Sequence, residues 1–287
     1  MIDNNNDLLN RIEKHYIKLS KGQKRIADFI LSNYDRVAFM TASTLGGIVG
    51  VSESTVVRFA NVLGYDGYPK LQKGLQESIK TKLTSVQRFE LTKEFEKEGS
   101  SIKKIMNADM DNIRRTVDNL DEDVVNLIVD ELHNARKVYV LGMRSSSVLA
   151  NYMGFYLNFI LDDIHIVPEG AQDVFDYMLN ISPEDVLITI SFPRYAKKTY
   201  DVVNYAKQQG ATIIGITDST GSPLVPLVKY CLFAKYNMNT FIDSMVAPMS
   251  LINSLIFAIS IREKDKVEQN FKKLEGLWNE YRIYNPK

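Results

Sequence analysis

Two short runs of the chain combine serine hydroxyls with an arginine, a combination suited to binding a small anion. The runs are residues 142–147, with the sequence GMRSSS, and residues 191–195, with the sequence SFPRY. Backbone amides at a helix start, hydroxyls and guanidinium groups all bind phosphate or carboxylate oxygens. The candidate ligand-binding residues are Arg144, Ser145, Ser146, Ser191, Arg194 and, directly after Pro168, Glu169.

A plain structural role is the alternative for each run taken alone, because serine and glycine are common in turns and helix caps. Glu169 fits an ordinary loop acid equally well. The prediction of a ligand depends on there being two such runs, each placed between an apolar strand and a helix. Ligands of parallel sheets bind outside the carboxyl ends of the strands. A third predicted strand also ends in polar residues, at 217–222 (TDSTGS).

Other classes of site find no support in the sequence. A phosphate-loop lysine motif is missing, and one glycine, Gly142, follows the first strand where a dinucleotide-binding loop has three. His15, His133 and His165 lack the spacing of metal ligands. Cys231 is the one cysteine, which excludes an internal disulfide and predicts a buried structural thiol. We therefore expect no cofactor, no metal and no catalytic residue.

Residues 41–60 predict two short helices joined by a tight turn at residues 50–52. The apolar residues expected to form one buried seam are Leu45, Ile48, Val49, Val51, Val56 and Phe59. Ser52 is a suitable N-cap for the second helix, with Glu53 in its first turn. This is the outline of a helix-turn-helix, whose second helix enters the major groove of DNA.

The polar residues around that second helix are the candidate DNA contacts. Side chains able to meet base edges or phosphates are Ser52, Ser54, Thr55, Arg58 and Asn61, with Arg58 the leading candidate. Lys70 and Lys73, together with Lys24 and Arg25, are candidates for holding the phosphate backbone. The alternative is an ordinary helical pair whose polar face is merely solvated.

The charge balance supports DNA binding locally rather than globally. The formal net charge of the 287-residue chain is zero, so its overall composition gives no basic signal. Residues 1–90, however, contain thirteen lysine and arginine residues against nine acids. The excess of positive charge falls where the helix-turn-helix is predicted.

Hydrophobic periodicity predicts an all-helical first part and an α/β second part. Besides the helix-turn-helix, helices are predicted at residues 8–19, 22–33, 69–82, 101–119 and 121–134. Five apolar strands are predicted at residues 137–142, 163–167, 185–191, 211–217 and 230–234, with helices between them that end near residues 161 and 209. Two helices at 243–261 and 264–281 close the chain. This pattern indicates a five-stranded parallel sheet flanked by helices.

The predicted domains are a helix-turn-helix DNA-binding domain at residues 1–82, a polar linker at 83–105 and an α/β domain at 106–287. The N-terminus lacks the features of a signal peptide. No uninterrupted apolar run reaches the roughly 18 residues of a membrane span. A cytoplasmic protein without membrane contact is expected.

The motifs together resemble the RpiR/MurR family of bacterial transcription regulators over nearly the full length of the chain. The N-terminal resemblance lies in residues 50–59 (GVSESTVVRF) and 63–68 (LGYDGY). The C-terminal part is similar to a sugar isomerase (SIS) domain at residues 142–150 and 190–195. The resemblance implies a DNA-binding domain controlled by a phosphosugar-binding domain, and SIS domains are commonly dimeric.

One position range departs from the family pattern. Many SIS domains hold phosphate with a Ser-x-Ser-Gly-x-Thr turn, and the matching positions here are Ser191, Pro193, Arg194 and Ala196. Proline has no backbone N–H to donate. Arg194 is the candidate replacement, through a bidentate grip on phosphate or carboxylate. The ligand is then a phosphosugar held differently, or an unphosphorylated acid or polyol.

The leading hypothesis is a transcriptional regulator, expected to repress carbohydrate catabolism genes, and not an enzyme. Its expected partners are a double-stranded DNA operator, a sugar phosphate or sugar acid as effector, and further copies of itself in a homodimer or homotetramer. Two alternatives stay open on the sequence alone. One is a sugar-phosphate isomerase with a helical N-terminal extension, and the other is a helical protein–protein adaptor.

Overall fold

The computed structural model describes residues 7–79, 86, 88–89, 102–170, 173–236 and 242–284. The chain divides into two compact units, Met1–Glu94 and Phe95–Lys287. Most of the predicted linker at residues 83–105 lies outside the described residues, and its last four residues, 102–105, belong to a helix. Its bounds, and those of the two predicted domains, stay predictions.

The described part of the first unit is all-helical, as predicted. Its elements are α1 (Asp7–His15), a 3-10 turn (Tyr16–Lys18), α2 (Lys21–Val37), α3 (Ala42–Val49), α4 (Glu53–Val62) and α5 (Tyr68–Ile79). Ser20 starts α2 with a capping box, in which its side chain and that of Gln23 each accept from the other's backbone N–H. The predicted end of α2 at Asn33 is instead a kink, where that residue alone leaves helical dihedral angles.

The core of the first unit contains most of the predicted seam. Leu45, Val56 and Phe59 are fully buried, whereas Val49 and Val51 pack partly against them. The prediction for Ile48 is wrong, because its side chain is 50% exposed. The buried face of α3 is formed by residues 42, 45, 46 and 49, and position 48 lies beside it.

The turn between α3 and α4 depends on two glycines. Gly50 ends α3 with φ of 71° and ψ of 43°, a left-handed conformation that favours glycine. A Cβ on Gly46 would lie 2.8 Å from the Val51 carbonyl oxygen. Arg25 Nη2 donates to the Gly50 carbonyl at 3.1 Å. The close packing at Gly46 and the Arg25 hydrogen bond at Gly50 therefore both stabilise the tight turn.

The second unit alternates helices with parallel strands. Its elements are α6 (Ile102–Val117), α7 (Glu122–Asn134), β1 (Val138–Gly142), α8 (Ser146–Leu157), β2 (Ile164–Ile166), α9 (Val174–Tyr177), β3 (Val186–Ile190), α10 (Lys197–Gln208), β4 (Thr212–Thr217), β5 (Tyr230–Phe233), α11 (Val246–Arg262) and α12 (Lys264–Glu280). The sheet order is β2-β1-β3-β4-β5, and every pairing is parallel. The five predicted strands and the Asp121 cap of α7 are confirmed. The short α9 was not predicted, and α8 ends four residues before its predicted end.

The three central strands, β1, β3 and β4, are buried on both faces, which explains why they lack polar alternation. Val138 and Val140 of β1 belong to one core cluster with residues of α7, α8 and α11. Tyr139 and Leu141 belong to another, with residues of α9 and α10. Successive side chains of a strand point to opposite faces, so each helical layer receives every second residue.

Cys231, on β5, was predicted to be buried and is only partly so. Burial raises the pKa of its thiol to about 12, so it stays protonated. Among the described helices, none is by itself long and apolar enough to cross a membrane. The bent pair α11 and α12, with 99° between its helices, meets that length and composition test only when the two are taken together.

Candidate functional site

A cavity of about 490 Å³ lies at the carboxyl ends of β1 and β3. All six predicted ligand-binding residues line it: Arg144, Ser145, Ser146, Glu169, Ser191 and Arg194. Thr199 and Asp243 also line it and were not predicted. Asp243 precedes α11, far from either motif in sequence, so no local pattern indicated its position.

The strand order places this cavity where the sheet reverses direction. The chain passes from β1 outward to β2, and then returns to the other side of β1 to form β3. In doubly wound sheets, ligands bind outside the strand ends at such a switch point. The two motifs meet because β1 and β3 are neighbours, with Gly142 of β1 paired to Ile190 of β3.

Close packing of α8 on β1 brings the first motif to the cavity. A Cβ on Gly142 would overlap the carbonyl oxygen of Ser146 and lie 2.9 Å from the Ala150 Cβ. Glycine therefore lets the start of α8 approach the strand end. Ser145, at the N-cap position, is exposed, and within the described residues its side chain makes no capping hydrogen bond. Its hydroxyl is available to a ligand.

Both cavity arginines have left-handed backbones. The φ angle is 55° at Arg144 and 71° at Arg194, a conformation that costs a non-glycine residue about 1–2 kcal/mol. Such strain persists where the surroundings enforce it, and it concentrates at functional sites. At Arg144 the enforcing contact is Glu169, whose Oε2 accepts from the backbone N–H at 2.7 Å.

The cavity combines buried hydroxyls with exposed charges of both signs. Ser146 and Ser191 are each only 4% exposed, while Arg144 and Arg194 are exposed. Glu169 and Asp243 add two carboxylates to the lining. Pro193, also in the lining, offers no backbone N–H. The arrangement fits a ligand with one anionic group and several hydroxyls. Among the described residues, no cluster of His, Cys, Asp or Glu could hold a metal ion.

The third polar strand end, residues 217–222, braces the second motif and does not line the cavity. Tyr195 donates to Asp218 Oδ1 at 2.8 Å, and Thr217 donates to Ser222 Oγ at 2.9 Å. Burial, and then the charge of Asp218, raise the pKa of Tyr195, so its phenol stays a hydrogen-bond donor. This network ties the turn after β3 to the turn after β4.

Helix α4, the predicted recognition helix, presents the predicted DNA contacts on its surface. Ser52, Ser54, Arg58 and Asn61 are exposed, and Thr55 is half-buried. Ser52 has the dihedral angles of an N-cap, but among the described residues its hydroxyl caps no backbone amide. It bonds instead to the Ser54 and Thr55 hydroxyls, each at 2.9 Å. The N-cap prediction for Ser52 is thus right in position and wrong in contact.

Two of these residues are engaged with their own unit. Arg58 Nε donates to the Ser54 carbonyl at 3.2 Å, so the guanidinium lies along α4. Asn61 Oδ1 accepts from the Gly67 N–H at 3.1 Å and braces the turn before α5. One lone pair of the Asn61 amide oxygen is therefore occupied, and the amide N–H groups are the remaining donors toward a base.

The basic residues proposed for the DNA backbone divide into two groups. Lys70 and Lys73 lie exposed on α5. Arg25 instead holds the Gly50 turn, and Lys24 lies over the Tyr16 ring, 5.5 Å from its centroid. The structure therefore places only the first pair free of a described contact within the unit.

Comparison with known proteins identifies both units. A model of the rpiR-family helix-turn-helix domain matches residues 6–82, and a model of the SIS domain matches residues 131–258. The chain belongs to the rpiR family. This rpiR-family protein is a DNA-binding transcriptional regulator, because relatives similar along their whole length are named as such.

The relatives cover almost the whole chain. An uncharacterized HTH-type transcriptional regulator of Haemophilus influenzae is 27% identical over 286 residues, which is 96% of this chain and 98% of that protein. The HTH-type transcriptional regulator HexR of Escherichia coli is 24% identical over 286 residues, 96% of each chain. These names favour a regulator over an enzyme for this rpiR-family member.

Solved structures show the same fold. The sugar isomerase domain of an RpiR transcription factor from Sphaerobacter thermophilus has a TM-score of 0.58 at 23% identity, over 60% of this chain and 96% of that one. The Vibrio vulnificus NanR protein complexed with ManNAc-6P has a TM-score of 0.54 at 21% identity, over 94% of this chain and 98% of that one. The fold shared with NanR thus covers nearly the whole chain.

Proposed function

We propose that this regulator represses carbohydrate catabolism genes and that a sugar phosphate or related sugar acid in the cavity controls its binding to operator DNA. The protein acts in the cytoplasm. The proposed domains are a DNA-binding domain at 1–82, a linker at 83–105 and a SIS domain at 106–287. The observation that carries the proposal is the convergence of six predicted residues on one cavity at the sheet's switch point.

The lining suggests how such a ligand is held. Ser145, Ser146 and Ser191 offer hydroxyls, and Arg144 and Arg194 offer guanidinium groups to a phosphate or carboxylate. Glu169 and Asp243 are placed to accept from sugar hydroxyls. NanR, which shares this fold, is complexed with a phosphosugar, ManNAc-6P. Because Pro193 has no backbone N–H to donate, Arg144 and Arg194 donate more of the hydrogen bonds to the anionic group here.

DNA binding by one α4 makes few base contacts, so we propose that two copies act together. Helix-turn-helix proteins bind paired half-sites as two-fold dimers, and half-site spacing is a geometric requirement. The proposed assembly is a homodimer or homotetramer. A ligand that changes the distance between the two recognition helices then changes operator affinity.

A thermal-shift screen tests the ligand assignment. The panel comprises inorganic phosphate, glucose 6-phosphate, ManNAc-6P, gluconate and xylitol. We expect a sugar phosphate or sugar acid to raise Tm in a concentration-dependent way, since a ligand that binds only the folded state stabilises it. Arg194→Ala and Ser191→Ala should abolish the shift. Arg282→Ala is the matched control, because Arg282 also has a positive φ, 50°, and does not line the cavity.

The outcome separates the proposal from its alternative. No shift with any panel compound, or a shift that survives in Arg194→Ala, contradicts the assignment of the cavity. Turnover of a panel sugar phosphate by the purified protein would instead support the sugar-phosphate isomerase.

A further inference from the structure

The residue that follows Asp243 connects the cavity lining to α6. Asp243 lines the cavity, and the adjacent Ser244 donates from Oγ to Asp109 Oδ1 of α6 at 2.5 Å. Asp109 and Ser244 are each half-buried, so water only partly competes for this bond. A single peptide bond therefore separates a ligand-facing residue from an anchor on another helix.

A second anchor joins the same helix to the end of β5. The backbone N–H of Lys235, two residues after β5, donates to Thr116 Oγ1 at 2.8 Å. That hydroxyl in turn donates to the Asn112 carbonyl at 2.8 Å, and Thr116 is buried. Asp109, Asn112 and Thr116 are spaced three and four residues apart, so they share one face of α6.

The same face carries an unsatisfied group. Within the described part of the chain, Oδ1 of the buried Asn112 has no hydrogen-bond partner. A buried acceptor without a partner destabilises the arrangement that contains it. A movement of α6 that paired this oxygen would remove that cost.

The position of α6 in the chain gives this contact a consequence. It is the first helix described in the second unit, starting at Ile102, and the chain before it continues from the DNA-binding domain. In chain order, α6 is therefore the first described helix after the connection to the helix-turn-helix domain.

We propose that Asp109 and Ser244 are positioning residues that couple the occupancy of the cavity to α6, and so to operator binding. This inference rests on the proposed function. A ligand that contacts Asp243 displaces Ser244, and the hydrogen bond to Asp109 transmits the displacement to α6. The hydrogen bond from the Lys235 N–H to Thr116 keeps the segment after β5 fixed to α6.

The test measures coupling separately from either affinity. For the full-length protein, fluorescence polarisation gives the Kd for a labelled duplex from the region upstream of its own gene. The duplex is titrated with and without the panel compound that gives the largest thermal shift. The ratio of the two Kd values is the coupling, about 5- to 150-fold for allosteric proteins. Ser244→Ala and Asp109→Ala should reduce it to about 2-fold or less. Ligand affinity and ligand-free DNA affinity should stay within about 3-fold of the parent's.

Two further variants define specificity. Asp109→Asn keeps an acceptor oxygen and should retain most of the coupling. Asp111→Ala is the control, because Asp111 lies exposed on the same helix and pairs with Arg114. Full coupling in Ser244→Ala would overturn the inference while leaving the proposed function intact. If the Kd of the parent protein for DNA is unchanged when a panel compound is bound, both the inference and the proposed function are overturned.

Discussion

The recognition helix and the cavity place their contact residues in opposite ways. On α4 the five candidates lie within ten residues of sequence and project outward from one short helix and its cap. In the cavity, the six candidates come from three segments that the sheet brings together. Local periodicity therefore determines the first arrangement, and strand order determines the second.

The helix-turn-helix and the cavity also differ in which residue types adopt a left-handed backbone conformation. In the described part of the first unit these positions are Gly50, Gly64 and Gly67. In the cavity they are Arg144 and Arg194. Glycine adopts this conformation without strain, whereas arginine does not. The left-handed positions of the helix-turn-helix are thus unstrained, whereas the cavity carries backbone strain at two of its proposed ligand-binding residues.

The largest expected effect separates the two regions by function. Arg58→Ala should weaken operator binding by about 1–3 kcal/mol, because it removes a guanidinium from the recognition helix. The ligand-induced thermal shift should be unchanged. Electrophoretic mobility shift measures the DNA affinity, with Arg114→Ala as the control, since Arg114 is an exposed arginine of the other unit. Parent-like DNA binding in Arg58→Ala would show that the recognition-helix assignment is wrong.

The next effect tests what the left-handed backbone and the side chain of Arg144 each contribute. Arg144→Gly and Arg144→Ala both remove the guanidinium, but only glycine relieves the positive φ, so Arg144→Gly should be more stable by roughly 1 kcal/mol. Both variants should lose ligand affinity. The measurement is urea unfolding combined with thermal shift.

The same substitutions at Arg282, where φ is 50°, provide the control. Arg282→Gly should also be more stable than Arg282→Ala, but both should bind ligand as the parent does. Ligand binding retained in Arg144→Gly would mean that the Arg144 side chain has no role in the site.

The smallest effect concerns acid stability of the α/β unit alone. Burial by itself raises the pKa of Asp185, but hydrogen bonds from Arg136 and from Ser182 outweigh it and lower the pKa below its usual value. The folded state therefore binds a proton at Asp185 less readily than the unfolded state does. The contribution of ionised Asp185 to the free energy of unfolding is therefore complete above about pH 4. It is lost as pH falls through the lowered pKa.

Asp185→Asn should flatten the decline in unfolding free energy of the second unit below about pH 4, as followed by urea denaturation at a series of pH values. The helical unit, which does not contain this residue, should keep its parent pH profile. An unchanged acid slope in the α/β unit would contradict the role given to the Arg136–Asp185 pair.

Sequence patterns predicted the elements well because buried strands, caps and turn glycines are local signals. The five strands, the Asp121 cap and the helix-turn-helix are examples. Ile48 was misplaced because a helix of two turns leaves the edge of its apolar face undetermined. The Ser52 contact was missed because neighbouring hydroxyls compete for the same oxygen.

In the candidate site, the sequence predicts some of the residues but not how they come together. The Ser and Arg residues after β1 and β3 have a recognisable motif, but their meeting depends on the order of the strands. Asp243 and Thr199 have no motif, and they reach the cavity through tertiary packing. The sequence also does not indicate that the Asn61 side-chain oxygen accepts a hydrogen bond from the Gly67 N–H. Long-range placement had to come from the structure.

The most direct test of ligand-controlled DNA binding is the Kd for the duplex upstream of the protein's own gene, with and without the strongest-binding panel compound. We predict a change of about 5- to 150-fold in the parent protein. Arg194→Ala should show parent affinity without ligand and no change with it. A parent protein that binds the duplex equally well when the cavity is saturated would contradict the account.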